Sequence, residues 1–278
     1  MMDVKFDYGI EFAGRTDIGR LRNENQDEVI LVPEKGFFAV SDGMGGMEFG
    51  GISSAWIRQV MPLIMDPLTQ VLKSTEDIES AAEELKKCVG VLSDQLFSEG
   101  NRPDRYRFGA TLAGVLLMEN KAIFVWLGDS RGYLLPKYGR KLRQITDDMN
   151  VAGILVRAGR MTKEEAAVSY ASSQLTAFVG MEPPAEPEAV VVEVKPGDRI
   201  LLCSDGLYGM VDEDEIAKIM RSGDDPDKIC RRLIDRANEN GGRDNIAAVY
   251  LKIVNGKPAS NPPAGGGADA EELPAEQA

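Results

Sequence analysis

Five aspartates in this sequence share one setting: each has a glycine, asparagine or serine within two positions, and four border an apolar stretch. Short apolar stretches predict β-strands, and side chains at the ends of neighbouring strands can meet at one sheet edge. Several carboxylates that meet there repel strongly, so they persist only with shared protons or bound cations. Two divalent ions bridged by one carboxylate would form a hydrolytic centre. The five are Asp27 in RNENQDEV, Asp42 in SDGMGG, Asp129 in LGDSRGY, Asp205 in CSDGL and Asp244 in GGRDNIAAV.

The simpler explanation for the repeated Ser-Asp-Gly is an ordinary turn. Asp-Gly favours turns because Gly accepts positive φ and Asp bonds nearby backbone. Ser-Asp-Gly occurs at 41–43 after FFAV and at 204–206 after RILLC. Convergence of both copies with the other aspartates is what would distinguish a metal site from two turns.

The sequence contains no histidine. This excludes Ser-His-Asp triads, Cys-His dyads, H-E-x-x-H zinc sites and phosphohistidine chemistry. A metal site must therefore be rich in oxygen ligands, which favours Mg²⁺ or Mn²⁺. The cysteines, Cys88, Cys203 and Cys230, form no C-x-x-C pair. That argues against a disulfide framework or a Cys-rich zinc site.

Size and charge narrow the function classes further. The 278 residues carry a net charge of −13, so we expect no nucleic-acid partner, because such binding needs clustered Lys and Arg. No run of 18 apolar residues occurs, so no membrane span is expected. The start of the chain lacks the apolar core of a signal peptide. We expect a cytoplasmic monomer.

Hydrophobic periodicity predicts groups of strands separated by helices. A helix at 75–98 is the clearest, with Ser74 or Thr75 as its cap, and another is expected at 51–65. Residues 109–138 predict a three-strand meander, and 188–204 a hairpin. Further strands are expected at 8–15, 28–32, 37–41 and 246–254, and further helices at 148–158, 163–168, 213–221 and 227–239.

Hairpin-like strands separated by helices predict an α+β fold in which helices cover antiparallel sheet. A Rossmann fold is disfavoured because strict β-α alternation and G-x-G-x-x-G are both missing. Residues 1–254 contain no linker and predict one domain. Residues 255–278 are rich in Pro, Gly, Ala and Glu, which predicts a disordered tail.

Six stretches, in order from 16 to 251, carry a resemblance to a known family. The sequence resembles the PPM-type (type 2C) metal-dependent Ser/Thr protein phosphatases of the compact bacterial kind. The resemblance implies a four-layer α-β-β-α sandwich of two mainly antiparallel sheets flanked by helices, with metal ions at one end. The stretches are TDIGRLRNENQDEV, FFAVSDGMGG, FGATLAGVLL, WLGDSRGYL, LLCSDGL and GGRDNIAAVYL.

The resemblance also assigns ligands for two Mn²⁺ or Mg²⁺ ions. Asp42 would bridge both ions, and Asp205 and Asp244 would complete the first. The Gly43 carbonyl would bind the second, since glycine lets the backbone approach closely. Asp27 would hold metal-bound waters.

Two further roles follow from the same resemblance. Asp129 matches the ligand of a weaker third ion, shared with Asp205, and Arg22 matches the arginine that grips the substrate phosphate. A metal-bridging hydroxide would attack the phosphorus of phosphoserine or phosphothreonine in line with the leaving oxygen. The substrates would be phosphorylated proteins, made by a Ser/Thr kinase.

The sequence departs from the family at three positions. Gln26 stands where many members have a metal-contacting Glu, so the second ion is expected to be more hydrated or weaker. Met44 replaces a histidine of some eukaryotic relatives. Met149 replaces the His of a Thr-x-Asp-His-Ser loop, here Thr146 to Asn150. Residues 147–187 resemble a mobile flap and are the least family-like part.

Three functions compete at this point. An active phosphatase is favoured over a catalytically weak or inactive pseudophosphatase that binds phosphoproteins, because a pseudoenzyme has no need of three converging carboxylates. A two-metal hydrolase acting on nucleotides is disfavoured by the ordered motifs. CRRLIDR at 230–236 fits the C-x5-R pattern of cysteine phosphatases, but it predicts a helix face and lacks a Gly-rich phosphate loop.

Overall fold

A computed structural model describes residues 6–44, 50–73, 77–100 and 109–256 of the chain. Ser74 and Thr75, expected to cap a helix, lie outside these residues, as does the expected disordered tail from residue 257 onward. The described ranges hold β-strands in two sheets and α-helices on both outer faces.

Most of the strands coincide with apolar stretches of the sequence. The described strands are β1 (Gly9–Asp17), β2 (Asp27–Val32), β3 (Phe37–Met44), β4 (Gly109–Ala110), β5 (Leu112–Met118), β6 (Lys121–Leu127), β7 (Arg131–Leu135), β8 (Arg143–Gln144), β9 (Glu188–Glu193), β10 (Arg199–Cys203) and β11 (Ile246–Val254).

All pairings between these strands are antiparallel. One sheet has the order β1-β11-β10-β7-β8. The other has the order β2-β3-β5-β6-β9, with the short β4 also pairing with β3. Long apolar strands such as β6 and β11 are buried on both sides, which fits sheets sandwiched between layers.

Two long helices and several short ones complete the described fold. The helix expected at 51–65 runs on to residue 73, through Pro62 and Pro67. The helix expected at 148–158 begins at Val151, with Asn150 as its N-cap. The helices are α1 (Gly50–Lys73), α2 (Ile78–Gly100), α3 (Val151–Arg157), α4 (Lys163–Ala167), α5 (Asp205–Tyr208), α6 (Glu213–Met220) and α7 (Pro226–Glu239), with 3-10 turns at Pro33–Lys35 and Tyr170–Ser173.

The layers are held together by two apolar cores. The larger core lies between the two sheets and continues beneath α1 and α2, which pack on the β2-to-β9 sheet. The smaller core lies between the β1-to-β8 sheet and α5, α6 and α7. The order of layers is therefore helix, sheet, sheet, helix, as expected. None of the helices in the described ranges is long and apolar enough to cross a membrane.

The expected meander was wrong at its third strand. β5 and β6 pair as predicted, but β7 leaves that sheet and pairs with β10 in the other. The turn between β6 and β7 passes through Gly128 at φ +118, where an added Cβ would lie 2.7 Å from Thr111 Cβ. Such a conformation favours glycine, and it carries the chain from one sheet to the other.

The expected hairpin at 188–204 was also wrong, because β9 pairs with β6 whereas β10 pairs with β7 and β11. The Asp198 carboxylate explains the change of direction. It accepts hydrogen bonds from the Lys195 backbone N at 2.9 Å and the Lys137 backbone N at 2.8 Å. These bonds stabilise a corner between the sheets in place of a hairpin turn.

Replacing Phe38 with alanine should lower the free energy of unfolding by about 3–5 kcal/mol, because it empties a filled position between the sheets. Phe38 on β3 is fully buried, and its ring centroid lies 4.9 Å from that of Phe12 on β1. Leu63, 66% exposed on α1, offers a control: L63A should change stability by less than about 1 kcal/mol. Urea denaturation of both variants checks this, and equal effects would contradict it.

Candidate active site

The five aspartates converge at one end of the sandwich, and they are called the acidic cluster below. Asp27 opens β2 directly opposite Asp42 on β3, next to Gly43. The three other members lie in turns next to the β1-to-β8 sheet: Asp129 between β6 and β7, Asp205 at the start of α5, and Asp244 just before β11.

A serine from one sheet fixes an aspartate of the other. Ser204 Oγ donates to Asp27 Oδ2 at 2.6 Å and accepts from the Ala247 backbone N at 2.8 Å. Ser204 therefore holds the Asp27 carboxylate toward the ends of β10 and β11. Asn25 supports the same residue, since its Oδ1 accepts from the Asp27 backbone N at 3.2 Å.

A second pair of hydroxyls links the turn of Asp129 to the strand of Asp42. Thr111 Oγ1 and Ser130 Oγ lie 2.6 Å apart in a buried hydrogen bond. Thr111 Oγ1 also accepts from the Asp42 backbone N at 3.1 Å, and its backbone N donates to the Asp42 carbonyl at 2.8 Å. Sequence reasoning missed this link, although both hydroxyls belong to quoted motifs, FGATLAG and GDSR.

Burial raises the pKa of four members of the acidic cluster. It is the largest cause for Asp27 and Asp42, whose pKa values both lie well above the ordinary range. For Asp42, the charges of the other four aspartates each raise the pKa further. Burial raises the pKa of Asp205 to about 6, with the charge of Asp244 adding to it, and the pKa of Asp129 to about 7, with the charge of Asp205 adding to it.

Arg22 reaches into the acidic cluster from its rim. Its Nη2 lies 2.7 Å from Asp244 Oδ2, and the side chain is 53% exposed. The hydrogen bond to Asp244 raises the pKa of Arg22, and the charges of Asp42 and Asp205 act in the same direction. Arg22 is therefore a fixed positive charge that faces both solvent and carboxylates.

A glycine brings the Arg22 loop close to Asp244. Gly19 has φ +79, and a Cβ there would lie 2.2 Å from the Asp244 carbonyl oxygen. The neighbouring Arg20 backbone N donates to the Gly242 carbonyl at 2.7 Å. Only glycine combines this backbone conformation with so close an approach.

Gly43 permits a second close approach. A Cβ at this position would lie 2.0 Å from the Gly50 carbonyl oxygen. The Gly43 backbone N donates to the Gln26 carbonyl at 3.0 Å, and that carbonyl also accepts from Ser54 Oγ at 2.6 Å. Asn245 Oδ1 accepts from the Gln26 backbone N at 3.0 Å. The end of β3, the Gln26 backbone and the start of α1 are thereby packed together.

The donor atoms of the acidic cluster suit a hard divalent cation. They are carboxylate oxygens, the ligand type that Mg²⁺ and Mn²⁺ prefer. Two of them, Asp27 Oδ1 and Asp205 Oδ1, are buried without a hydrogen-bond partner, which is costly unless a cation or proton compensates. Over the described ranges, no three acidic side chains are placed to hold one ion as they stand.

Comparison with known proteins identifies the family. The sequence model described as "Protein phosphatase 2C" matches residues 22–249. The chain belongs to the protein phosphatase 2C family. The expected PPM-type resemblance is thereby confirmed. The family match includes every member of the acidic cluster together with Arg22 and Gly43.

Curated relatives in the protein phosphatase 2C family are similar over most of this chain. The serine/threonine phosphatase Stp of Listeria monocytogenes is 33% identical over 245 residues, which cover 86% of this chain and 94% of that protein. The serine/threonine protein phosphatase PstP of Mycobacterium tuberculosis is 32% identical over 248 residues, 88% of this chain and 45% of that protein.

Solved phosphatase structures share the four-layer fold. The PstP catalytic domain, solved in complex with two manganese ions, matches with a TM-score of 0.72 and 31% identity over 88% of this chain and 99% of that one. The serine/threonine phosphatase of S. agalactiae matches with a TM-score of 0.74 and 27% identity over the same shares. The expected α-β-β-α sandwich is confirmed.

In EDTA, the protein should become less stable as pH rises from 5 to 8. A raised pKa means that the folded carboxyl holds its proton more tightly than the unfolded one. The contribution of this proton binding to the free energy of unfolding is complete below the unfolded pKa, near 4. It is lost as the pH rises past the pKa values of the folded state, about 6 for Asp205 and about 7 for Asp129. Excess Mn²⁺ at pH 8 should restore stability by replacing the protons. Thermal unfolding across this range checks it.

The matched control for this pH dependence is Asp27→Asn, which removes one titrating group but keeps an acceptor for Ser204. Its unfolding midpoint in EDTA should fall less between pH 5 and 8 than that of the unmodified protein. A midpoint that stays constant or rises with pH in the unmodified protein would contradict the expectation. So would an equal fall in both proteins.

Proposed function

We propose that this chain is a metal-dependent protein Ser/Thr phosphatase that hydrolyses phosphoserine and phosphothreonine with Mn²⁺ or Mg²⁺. The observation that carries the proposal is the acidic cluster, with its two unpartnered buried oxygens. It occurs in a chain that matches the protein phosphatase 2C family over residues 22–249. Relatives named as serine/threonine phosphatases support phosphorylated proteins as substrates. A Ser/Thr kinase would supply those substrates.

Two ions would be held by the centre of the acidic cluster. The negative charge of each other member raises the pKa of Asp42. This central position suits a carboxylate that both ions would share. Asp205 and Asp244 would complete the first ion, and the Gly43 carbonyl would contribute to the second. Asp27, fixed by Ser204, would orient water beside them.

A third, weaker ion would use Asp129 together with Asp205. The two carboxylates interact, because the charge of Asp205 raises the pKa of Asp129. Asp129 is attached to the turn between the sheets, whereas Asp205 begins a helix. This separation in the fold is consistent with a site that is less rigid than the central pair.

When bound, the ions would activate water as a nucleophile near neutral pH and offset charge on the phosphoryl oxygens. Arg22 would bind the substrate phosphate, since a guanidinium offers two parallel donors to two phosphoryl oxygens. Its exposure leaves it accessible to a phosphorylated side chain, and its contact with Asp244 keeps it above the cluster.

The structure disfavours a cysteine nucleophile. Cys230, first residue of the C-x5-R stretch, is fully buried on α7, and burial raises the pKa of its thiol to about 12. Cys203 is fully buried on β10, and burial also raises its pKa well above the ordinary range. Neither thiol would ionise near neutral pH, as a covalent phosphatase mechanism requires.

Purified protein should hydrolyse p-nitrophenyl phosphate and a phosphothreonine peptide with Mn²⁺, more weakly or equally with Mg²⁺, and not in EDTA. Asp205→Asn should lower turnover by at least about 100-fold, because it removes a charge from the ion site. Asp235→Asn makes the same change on the exposed face of α7 and should leave turnover unchanged. Folded protein that binds Mn²⁺ without turnover would instead indicate a phosphoprotein-binding pseudophosphatase.

Arg22→Ala should lower kcat/KM for the phosphopeptide by about 10- to 100-fold, the usual effect of losing hydrogen bonds to a charged group. Arg22→Lys should be intermediate, because an ammonium keeps the charge but loses the fork. Arg20→Ala, an exposed arginine of the same loop, is the control and should retain activity. Steady-state kinetics check this, and equal kcat/KM in Arg22→Ala and Arg20→Ala would remove the phosphate-binding role.

A further inference from the structure

A groove lies on the outer helical layer, between α1 and α2, and it is called the helix groove below. Its volume is about 460 Å³. The α2 residues that line it recur at intervals of three and four positions, so they share one face of that helix. The helix groove is therefore built on two regular helices. The residues that line it are Trp56 from α1 and Val91, Asp94, Gln95, Ser98 and Glu99 from α2.

Apolar side chains in and beside the helix groove face solvent. Val91 is 52% exposed, and Ile52, one turn before Trp56 on the same face of α1, is 46% exposed. Trp56 is partly buried and packs against the larger core, which holds its ring in place while leaving part of it accessible. Adjoining exposed apolar residues on one face are typical of an interaction surface, and a rigid aromatic ring is a common anchor of such surfaces.

The charge of the helix groove indicates which ligand it would suit. Its two charged lining residues, Asp94 and Glu99, are both acidic. Complementary charge therefore favours a ligand that combines an apolar side chain with Lys or Arg. The tail at 257–278 carries four acidic residues and one lysine, and a second copy of the chain carries a net charge of −13. Repulsion disfavours both of these as the occupant.

The helix groove begins close to the acidic cluster. The first residue of α1, Gly50, lies against Gly43, where an added Cβ would be 2.0 Å from the Gly50 carbonyl oxygen. Ser53 Oγ donates to the Gly109 carbonyl at 2.6 Å, which joins α1 to the strand that pairs with Gly43. Trp56 is six positions after Gly50, about 9 Å along the helix. An extended peptide covers that distance with roughly three residues.

We propose that the helix groove binds a basic and apolar stretch of the phosphoprotein substrate, about three to six residues from the phosphorylated Ser or Thr. The inference rests on the proposed function, because it assigns a second contact to the same substrate. The apolar side chain of the substrate packs on Trp56 and Val91, and its Lys or Arg faces Asp94. This contact is remote from the reacting phosphate, so it strengthens substrate binding without changing the chemical step.

Phosphothreonine peptides test the preference directly. One series carries a Leu-Lys pair at three to six residues before or after the phosphothreonine, and the reference peptides carry Ala-Glu at the same positions. With Mn²⁺, the best Leu-Lys peptide should show a KM about fivefold lower than its reference. Its kcat should be the same, because the groove contact is equal in the ground state and the transition state.

Asp94→Lys should reverse the preference for charge. It should raise KM for the best Leu-Lys peptide at least to that of the reference, and lower KM for a Leu-Glu peptide. Glu83→Lys is the matched control, since it makes the same type of charge change at a side chain that is 61% exposed on the same helix, about 16 Å away along the axis. It should leave the preference unchanged. Both variants should hydrolyse p-nitrophenyl phosphate normally, because that substrate has no flanking residues.

Tryptophan fluorescence measures the groove contact without turnover. The chain has two tryptophans, and Trp126 is only 4% exposed, so acrylamide should quench mainly Trp56. In EDTA, the unphosphorylated Leu-Lys peptide at millimolar concentration should protect the unmodified protein from quenching. The Ala-Glu peptide should not, and neither peptide should protect Asp94→Lys. Trp56→Phe, which keeps an aromatic ring, should remove the quenchable signal and so identify its source.

Equal KM values for the Leu-Lys and reference peptides would overturn the inference. So would Asp94→Lys and Glu83→Lys with the same peptide preference. Residues 101–108 carry three arginines, and their occupation of the helix groove would also abolish the preference and the protection. Protein that shows protection of Trp56 but no hydrolysis of p-nitrophenyl phosphate would refute the phosphatase function. Active protein with neither preference nor protection would refute the groove contact alone.

Discussion

The carboxylates of the acidic cluster repel one another across the ends of the two sheets, and burial strengthens this repulsion because little water screens it. Hydrogen bonds from polar groups elsewhere in the fold hold these aspartates in place despite the repulsion. Ser204 holds Asp27, Thr111 holds the Asp42 backbone, and Arg22 meets Asp244. Two of these bonds restrain a carboxylate and the third restrains the backbone of Asp42, yet buried oxygens of Asp27 and Asp205 stay unpartnered. The site is thus held in place by the rest of the protein while retaining ligand oxygens for cations.

The relative position of the two sheets determines the geometry of the site, because each sheet carries only some of its residues. Asp27 and Asp42 face each other in one sheet, whereas the other three members border the second. The large apolar core between the sheets sets their separation. The chain crosses from one sheet to the other at Gly128 and again near Asp198. Core packing therefore sets the dimensions of a polar site that contains little apolar surface.

Much of the site could be predicted from the sequence, because its members stand in short motifs at strand ends. Asp42 and Asp205, each within Ser-Asp-Gly, are examples. Strand partners were harder to predict, since β7 and β9 show the same apolar run whichever sheet they join. The hydrogen bonds from Ser204 to Asp27 and from Asn150 to Asp129 could not be predicted from local sequence pattern. Ser204 and Asp27 are 177 positions apart, and only the folded chain shows that they touch.

The separation of the partners along the chain also bears on how the protein is made. Arg22 and Asp244 are 222 positions apart, and Asp27 and Ser204 are 177 apart. During synthesis, which proceeds from the N-terminus at about 5–20 residues per second, Asp27 and Asp42 emerge roughly ten or more seconds before Asp244. A nascent chain therefore cannot assemble the complete site. Assembly must follow the pairing of β11 in the β1-to-β8 sheet, so hydrolytic activity is delayed until nearly the whole folded region has left the ribosome.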